Sequence, residues 1–321
     1  MALNEFEGMR GAAIEAHQRN DLEKAERLYR QLLGSSDQNS GDWANLGAIL
    51  RSDGRLQEAI DLYEQGLEKW EVDPILCLNA SNAFRDGGYW LKSEKILQRC
   101  LEQFPVSLQL RHSLAKTWIS AGKNVDAVKM LEILTHEDPN VHDIWADLGI
   151  ASSHLQQSEK ALISFKKALE IDPEHCRTRA NCITLLTEQR KLEDAQIILE
   201  ETPGQLSNNV ELRTAKANLL IAKHEMAEAA RLLYKLCIEE PESPQHWLNL
   251  GASLRGLKRN FVASRVTKKG ISIHPENIGL QNALLQSLTD QGLFISARRV
   301  LNEMNKVDIV KNDTLLFNLQ F

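Results

Sequence analysis

Stepping through this chain in strides of 34 residues from Ala25 gives Ala25, Ala59, Ser93, Ala127, Ala161, Ala195, Ala229, Ala263 and Ala297. Eight alanines and one serine, with no insertion between them, constrain the fold more than composition does. Such a chain is built as a stack of like units, each touching its neighbours, and not as a globule around one centre. The 321 residues would be read as two domains from length alone. The period divides them instead into nine units, 6–39, 40–73, 74–107, 108–141, 142–175, 176–209, 210–243, 244–277 and 278–311, with residues 312–321 left as an apolar C-terminal cap or linker.

Other columns share the register. Four residues after the alanines stand Tyr29, Tyr63, Leu97, Leu131, Phe165, Leu199, Leu233, Thr267 and Leu301. Nine residues before them stand Ala16, Leu50, Phe84, Trp118, Ser152, Leu186, Leu220, Leu254 and Leu288. These spacings are helical and predict core faces. Alanine is expected where two helices cross too closely for a larger side chain. A column of Gly54, Gly88, Gly122 and Gly292 predicts a turn needing positive φ. A column of Pro105, Pro139, Pro173, Pro241 and Pro275 predicts the stop of a second helix. Each unit therefore reads helix, turn, helix, turn, and the fold class is all-α.

The pattern resembles the tetratricopeptide repeat. Its fullest copy is Trp145, Leu148, Gly149, Ala161, Phe165, Ala168 and Pro173, and Trp43-Leu46-Gly47 and Trp247-Leu250-Gly251 repeat its opening triplet. The resemblance implies a right-handed α-solenoid of about nine helix-turn-helix repeats over residues 1–311, whose first helices line a concave surface. Departures are Lys216 in place of leucine, Ile183 and Leu285 in place of a small residue, and Thr267 in place of an aromatic. Pro203 comes early in Thr202-Pro203-Gly204, which marks 202–210 as the expected irregular turn.

Function in such an array resides in side chains that project from the first helices without packing. The sixth repeat position reads Gly11, Asn45, Asn79, Ser113, Asp147, Asn181, Ala215, Asn249 and Ala283. An amide offers donors and an acceptor and so suits a sequence-tolerant grip on an extended peptide backbone. The row resembles the asparagine ladder in the repeat domain of O-linked N-acetylglucosamine transferases. Asparagine at this position is equally a general habit of the repeat, and both readings stand. Arg51, Asn79, Asn82 and Arg85 form a second candidate, for a carboxylate or phosphate, against the plainer reading of solvated charge. The partner-binding candidates are thus Asn45, Asn79, Asn82, Asp147, Asn181, Asn249, Arg51 and Arg85. The two-carboxylate clamp of chaperone-binding relatives is disfavoured, because Ile14 and Ile75 fall on positions it needs.

Other chemistries find little support. Glycine-rich phosphate loops, His-Glu-x-x-His and paired Cys-x-x-Cys motifs are absent, so no catalytic residue, cofactor or metal is expected. His175-Cys176 with Cys182 lacks zinc spacing. The formal charge of −6, with mixed signs on the inward positions, argues against nucleic acid. No apolar run reaches the roughly 18 residues of a membrane span, and the five cysteines fit a reducing, cytoplasmic setting. Trp70 and Trp90 lie outside the core columns. The tail Thr314–Phe321 is apolar enough to cap the last repeat, to mediate self-association, or to lead into a further domain. The leading expectation is a non-catalytic scaffold binding a protein or peptide. The alternatives are the substrate-recruiting repeat domain of a larger enzyme such as a protein O-glycosyltransferase, and a self-associating scaffold.

Overall fold

The structure is a computed structural model that describes residues 2–70 and 72–307. The expected cap or linker at 312–321 lies outside the described residues. Among these, the chain is all-helical. The first helices of the nine repeats are α1 (Ala2–Gln18), α3 (Ser40–Ser52), α5 (Pro74–Asp86), α7 (Leu108–Ser120), α9 (His142–His154), α11 (Cys176–Glu188), α13 (Val210–Ala222), α15 (Pro244–Gly256) and α17 (Ile278–Thr289). The second helices are α2 (Leu22–Leu33), α4 (Leu56–Lys69), α6 (Trp90–Gln103), α8 (Asn124–Glu137), α10 (Ser158–Ile171), α12 (Leu192–Glu200), α14 (Met226–Glu239), α16 (Asn260–Ile273) and α18 (Phe294–Val307). None is long and apolar enough to cross a membrane.

The helices group into two units that divide between Ile171 and Asp172. Unit 1 holds α1–α10 and unit 2 holds α11–α18. Within each, every helix packs on the next, and from α3 onward in unit 1 and throughout unit 2 first helices also pack on one another. This is the nearest-neighbour stacking of an α-solenoid.

The alanine column is the axis of that packing. All nine of its members are 0–1% exposed. Ser93, the exception in kind, places its Oγ 2.8 Å from Thr117 Oγ1 and 3.2 Å from the Ser81 carbonyl, so its hydroxyl is satisfied inside the core. The rings of the aromatic column wedge against the glycines of the Trp-Leu-Gly triplets. A Cβ on Gly47 would lie 2.3 Å from the Tyr63 ring, and one on Gly149 would lie 2.4 Å from Phe165. Glycine is required there because the ring occupies the space of a side chain.

The hairpin turns are more uniform than the glycine column predicts. Gly54, Gly88, Gly122 and Gly292 have φ of 72 to 77°. Asn20, Gln156, Arg190, His224 and Lys258 fill the same place in the other five repeats, at φ of 59 to 62°. In every repeat the residue after this one donates its N–H back to the carbonyl five residues earlier, as Arg55 does to Leu50 at 2.9 Å and Arg259 to Leu254 at 2.9 Å. These are nine copies of the Schellman closure, in which a left-handed residue lets the chain satisfy the last helical carbonyls.

A second recurrent bond fixes the start of four of the first helices, α9, α11, α15 and α17. Trp145 Nε1 donates to the Pro139 carbonyl and Trp247 Nε1 to the Pro241 carbonyl, both at 2.9 Å. Arg179 Nη2 does the same to Pro173 at 2.7 Å, and Gln281 Nε2 to Pro275 at 2.7 Å. The donor recurs where the indole does not. The irregular turn expected at 202–210 is present: α12 has 9 residues against 14 in most second helices, and a short 3-10 turn, Gly204–Leu206, follows it.

Candidate functional site

On the first-helix face of unit 1, most polar groups are engaged with the neighbouring repeat. Asp42 is buried, accepts from Arg10 Nε at 2.9 Å, and closes a capping box with Asn39. Arg51 Nε pairs with Asp86 at 3.0 Å. His112 Nε2 lies 2.7 Å from Asp147 Oδ2. Two of the candidate asparagines serve the aromatic column. Asn45 Nδ2 donates to the Tyr29 hydroxyl at 3.1 Å, and Asn79 Nδ2 to the Ala44 carbonyl at 3.3 Å, which also receives the Tyr63 hydroxyl at 3.2 Å. Where a tyrosine precedes by sixteen residues, the asparagine amide is part of the packing.

Asn82 and Arg85 are brought together as the sequence implies. Arg85 Nη2 donates to Asn82 Oδ1 at 2.8 Å, while its buried Nη1 has no partner among the described residues. Burial pushes the Arg85 guanidinium below the ordinary arginine range; Asp86 and Asp147 oppose this and Arg51 adds to it.

Unit 2 is built differently. Its aromatic column reads Leu199, Leu233, Thr267 and Leu301, which carry no phenol to engage an amide. Two adjoining clefts open on its first helices and share Thr184. One, of about 340 Å³, is lined by Arg177, Asn181, Thr184, Glu211, Thr214 and His246 among others. The other, of about 560 Å³, is lined by Thr184, Glu188, Arg190, Asn218, Gln245 and Asn249 among others. Asn181 makes no side-chain hydrogen bond among the described residues. Asn249 Nδ2 donates to Asn218 Oδ1 and its Oδ1 accepts from Gln245 Nε2, each at 2.8 Å. Arg177 Nε pairs with Glu211 at 3.1 Å at the cleft wall. His246 is buried, with Nε2 3.0 Å from Thr214 Oγ1, and desolvation holds its pKa below the ordinary histidine value.

The candidate asparagines therefore divide. Asn181 and Asn249 lie in these clefts, whereas Asn45, Asn79 and Asn82 are tied to neighbouring side chains or backbone in unit 1. Asn218 and Gln245 were not singled out from sequence, although both occupy inward positions of their repeats. For the asparagines of the sixth column, the residue sixteen positions upstream differs: Tyr29 and Tyr63 precede Asn45 and Asn79, whereas Phe165 and Leu233 precede Asn181 and Asn249. The cysteines form no disulfide, and Cys77, Cys100, Cys182 and Cys237 are buried. Of the two tryptophans outside the core columns, Trp90 is 42% exposed and Trp70 packs on the core of the first repeats.

Two stretches, 10–74 and 142–175, match models of the tetratricopeptide repeat. The human Protein O-mannosyl-transferase TMTC1 is 23% identical over 222 residues, which cover 69% of this chain and 21% of that protein. The chain thus spans about a fifth of the length of that relative. Among solved structures, the APC/C hetero-tetramer Cut9-Hcn1 superposes with a TM-score of 0.64 at 14% identity, over 92% of this chain and 58% of that one. A tetratricopeptide repeat protein from Parabacteroides merdae gives a TM-score of 0.52 at 17% identity, over 89% and 99% of the two chains. At these identities the structural likeness concerns the fold.

Proposed function

Because the chain is a tetratricopeptide-repeat array, we propose that it is a protein-interaction scaffold whose peptide site is the paired cleft on the first helices of unit 2. The observation that carries this reading is the set of amides gathered there, with Asn181 uncommitted and Asn218, Gln245 and Asn249 bonded only to one another. Amides that satisfy each other can exchange those bonds for a peptide backbone at little cost, since donors and acceptors match on both sides. Thr184, shared by the two clefts, gives the peptide a continuous path across α11, α13 and α15. Specificity comes from the flanking charges Arg177, Glu188 and Arg190. Asn45, Asn79, Asn82, Arg51, Arg85 and Asp147 act here mainly as braces between repeats of unit 1, with the half-buried Arg85 guanidinium available to a partner carboxylate.

Screening the chain against an array of extended peptides tests this. Asn181→Ala with Asn249→Ala is expected to weaken the best peptide about tenfold, at roughly 0.5–1.5 kcal/mol per hydrogen bond, while Asn45→Ala leaves affinity unchanged. Equal affinity for wild type and the double variant would place the peptide site elsewhere.

A second reading rests on the match to TMTC1. In it the array recruits protein substrates for a glycosyl-transferring domain. The same clefts would then hold the acceptor protein. The outcome that rejects it is an unchanged glycosylation profile in cells that lack the polypeptide carrying this array.

A further inference from the structure

The second-helix face carries its own pattern, independent of the peptide clefts. At three junctions a charged residue late in one second helix pairs with an opposite charge early in the next, 28 residues on: Arg30 with Glu58, Glu64 with Lys92, and Glu132 with Lys160. At two junctions a cation at the start of a second helix also reaches back 29 residues to a carboxylate. Arg55 meets Glu26 at 2.8 Å and Lys123 meets Glu94 at 2.7 Å. These clasps close the seam between neighbouring second helices.

Both clasps are missing between α14 and α16, as they are between α12 and α14 and between α16 and α18, and at α14–α16 the gap is lined by apolar side chains and cations. The places of the first pair are taken by Tyr234 and Val262, which are 59% and 44% exposed. The place of the second carboxylate is taken by Ala230, so Arg259 stands without it. The seam opens into a groove of about 810 Å³. Its wall includes Leu220, Leu254, Leu257, Val262 and Val266, and its edge carries Lys216, Arg231, Lys235 and Arg259 against the single carboxylate Glu228. None of these four cations forms an ion pair or side-chain hydrogen bond among the described residues. Lys216 is itself a departure, standing where the repeat pattern has leucine.

We infer that this groove is the docking site of an acidic amphipathic helix of another protein. Val262 and Val266 on one wall, and Leu250, Leu254 and Leu257 on the other, follow helical spacing and offer a seam for a third helix. Four unpaired cations around an apolar floor select carboxylates on the flanks of that helix. The occupant supplies the carboxylates that Ala230 and Tyr234 leave out.

The probe is a fluorescent peptide of about 18 residues with leucines at i, i+3, i+4 and i+7 and glutamates on its flanks, beside a twin with lysines in their place. Anisotropy with the full chain is expected to show the glutamate peptide binding at least about tenfold more tightly than the lysine twin. Val262→Asp abolishes this binding, and Arg259→Glu narrows or reverses the preference. The pair Asn181→Ala and Asn249→Ala leaves it intact, which separates this site from the peptide clefts. Equal binding of the two peptides, no binding of the glutamate peptide at about 1 mM, or indifference to Val262→Asp overturns the inference. So does a concentration-dependent dimer that Val262→Asp dissolves, because the occupant is then a second copy. Binding that appears only after deletion of residues 308–321 also overturns it, in favour of the chain's own tail. Circular dichroism confirms that each variant folds.

Discussion

Unit 1 and unit 2 are made from the same 34-residue plan and spend it differently. In unit 1 three of the five wedges are aromatic, Tyr29, Tyr63 and Phe165 beside Leu97 and Leu131, Gly47 and Gly149 make room for two of these rings, and glycine holds three of the five left-handed turns. Asn45 and Asn79 reach back to the preceding repeat, and Arg51 and His112 pair with the following one. In unit 2 the wedges shrink to Leu199, Leu233, Thr267 and Leu301, three of the four turns are held by Arg190, His224 and Lys258, and α12 is cut short. The polar groups of its first helices are left lining clefts, and one second-helix seam lies open. The contrast teaches that the conserved geometry of a repeat does not say where its polar side chains are used. That depends on what the preceding repeat offers them, a phenol before Asn45 and Asn79, a phenylalanine before Asn181 and a leucine before Asn249.

The sharpest way to break the contrast is at the wedge. Gly47→Ala drives a methyl group against the Tyr63 ring, at a Cβ separation of 2.3 Å. It is expected to cost about 3 kcal/mol, the upper range for overpacking. Gly251→Ala meets only Thr267 Oγ1, at 2.9 Å. Rotation of the threonine relieves that contact at the cost of its 2.8 Å bond to the Ala263 carbonyl, about 1–3 kcal/mol, and alanine returns about 1 kcal/mol of helix propensity, so the net loss should be smaller than at Gly47. Urea unfolding of both variants gives the comparison; an equal loss at the two sites would show that the wedges are equally tight.

The turns come next. A left-handed non-glycine residue carries roughly 1–2 kcal/mol of strain, partly offset by the entropy that glycine loses on folding. Arg190→Gly, His224→Gly and Lys258→Gly should each raise stability by about 0.5–1 kcal/mol, narrowing the gap between the units. The melting temperature of the triple variant reads the sum. A decrease would mean that these side chains contribute more than their backbone strain removes.

The smallest effect is a slope with pH. Burial lowers the pKa of His246 below the ordinary value of about 6.5. The unfolded chain therefore binds more protons than the folded one below that pH, and stability should fall as pH drops through about 6.5 and lose this dependence above it. His246→Gln should flatten the curve between about pH 5 and 6.5. An unchanged slope would assign the titration to other groups.

Much of the fold was legible as register. The alanine, apolar, glycine and proline columns placed helices, crossings and turns, and the early Pro203 marked the irregular junction. What register alone hid was identity-blind geometry. Gln156, Arg190 and Lys258 bear no mark of a left-handed turn except that they stand 34 residues from one, and Arg179 replaces a tryptophan because only its donor matters. The site was less legible. Asn45 and Asn181 occupy the same column, and only the tyrosine or phenylalanine sixteen residues upstream tells which amide has a hydroxyl to bind. The open seam between α14 and α16 left a trace in sequence as two absences: Tyr234 stands where Arg30, Glu64 and Glu132 carry charge, and Ala230 where Glu26 and Glu94 do. An absence is visible only once the pairs it interrupts have been seen.

The nine identical turns also set the grain in which this protein can change its length. A single inserted residue inside a repeat would rotate every later side chain off its face, whereas a whole repeat begins and ends on the same left-handed step and returns the next helix to its seat. Reach along a ligand can therefore grow or shrink only in units of one hairpin, as a ruler does by its divisions. The tryptophans at 43, 145 and 247, evenly spaced at 102 residues, fit a chain lengthened three hairpins at a time.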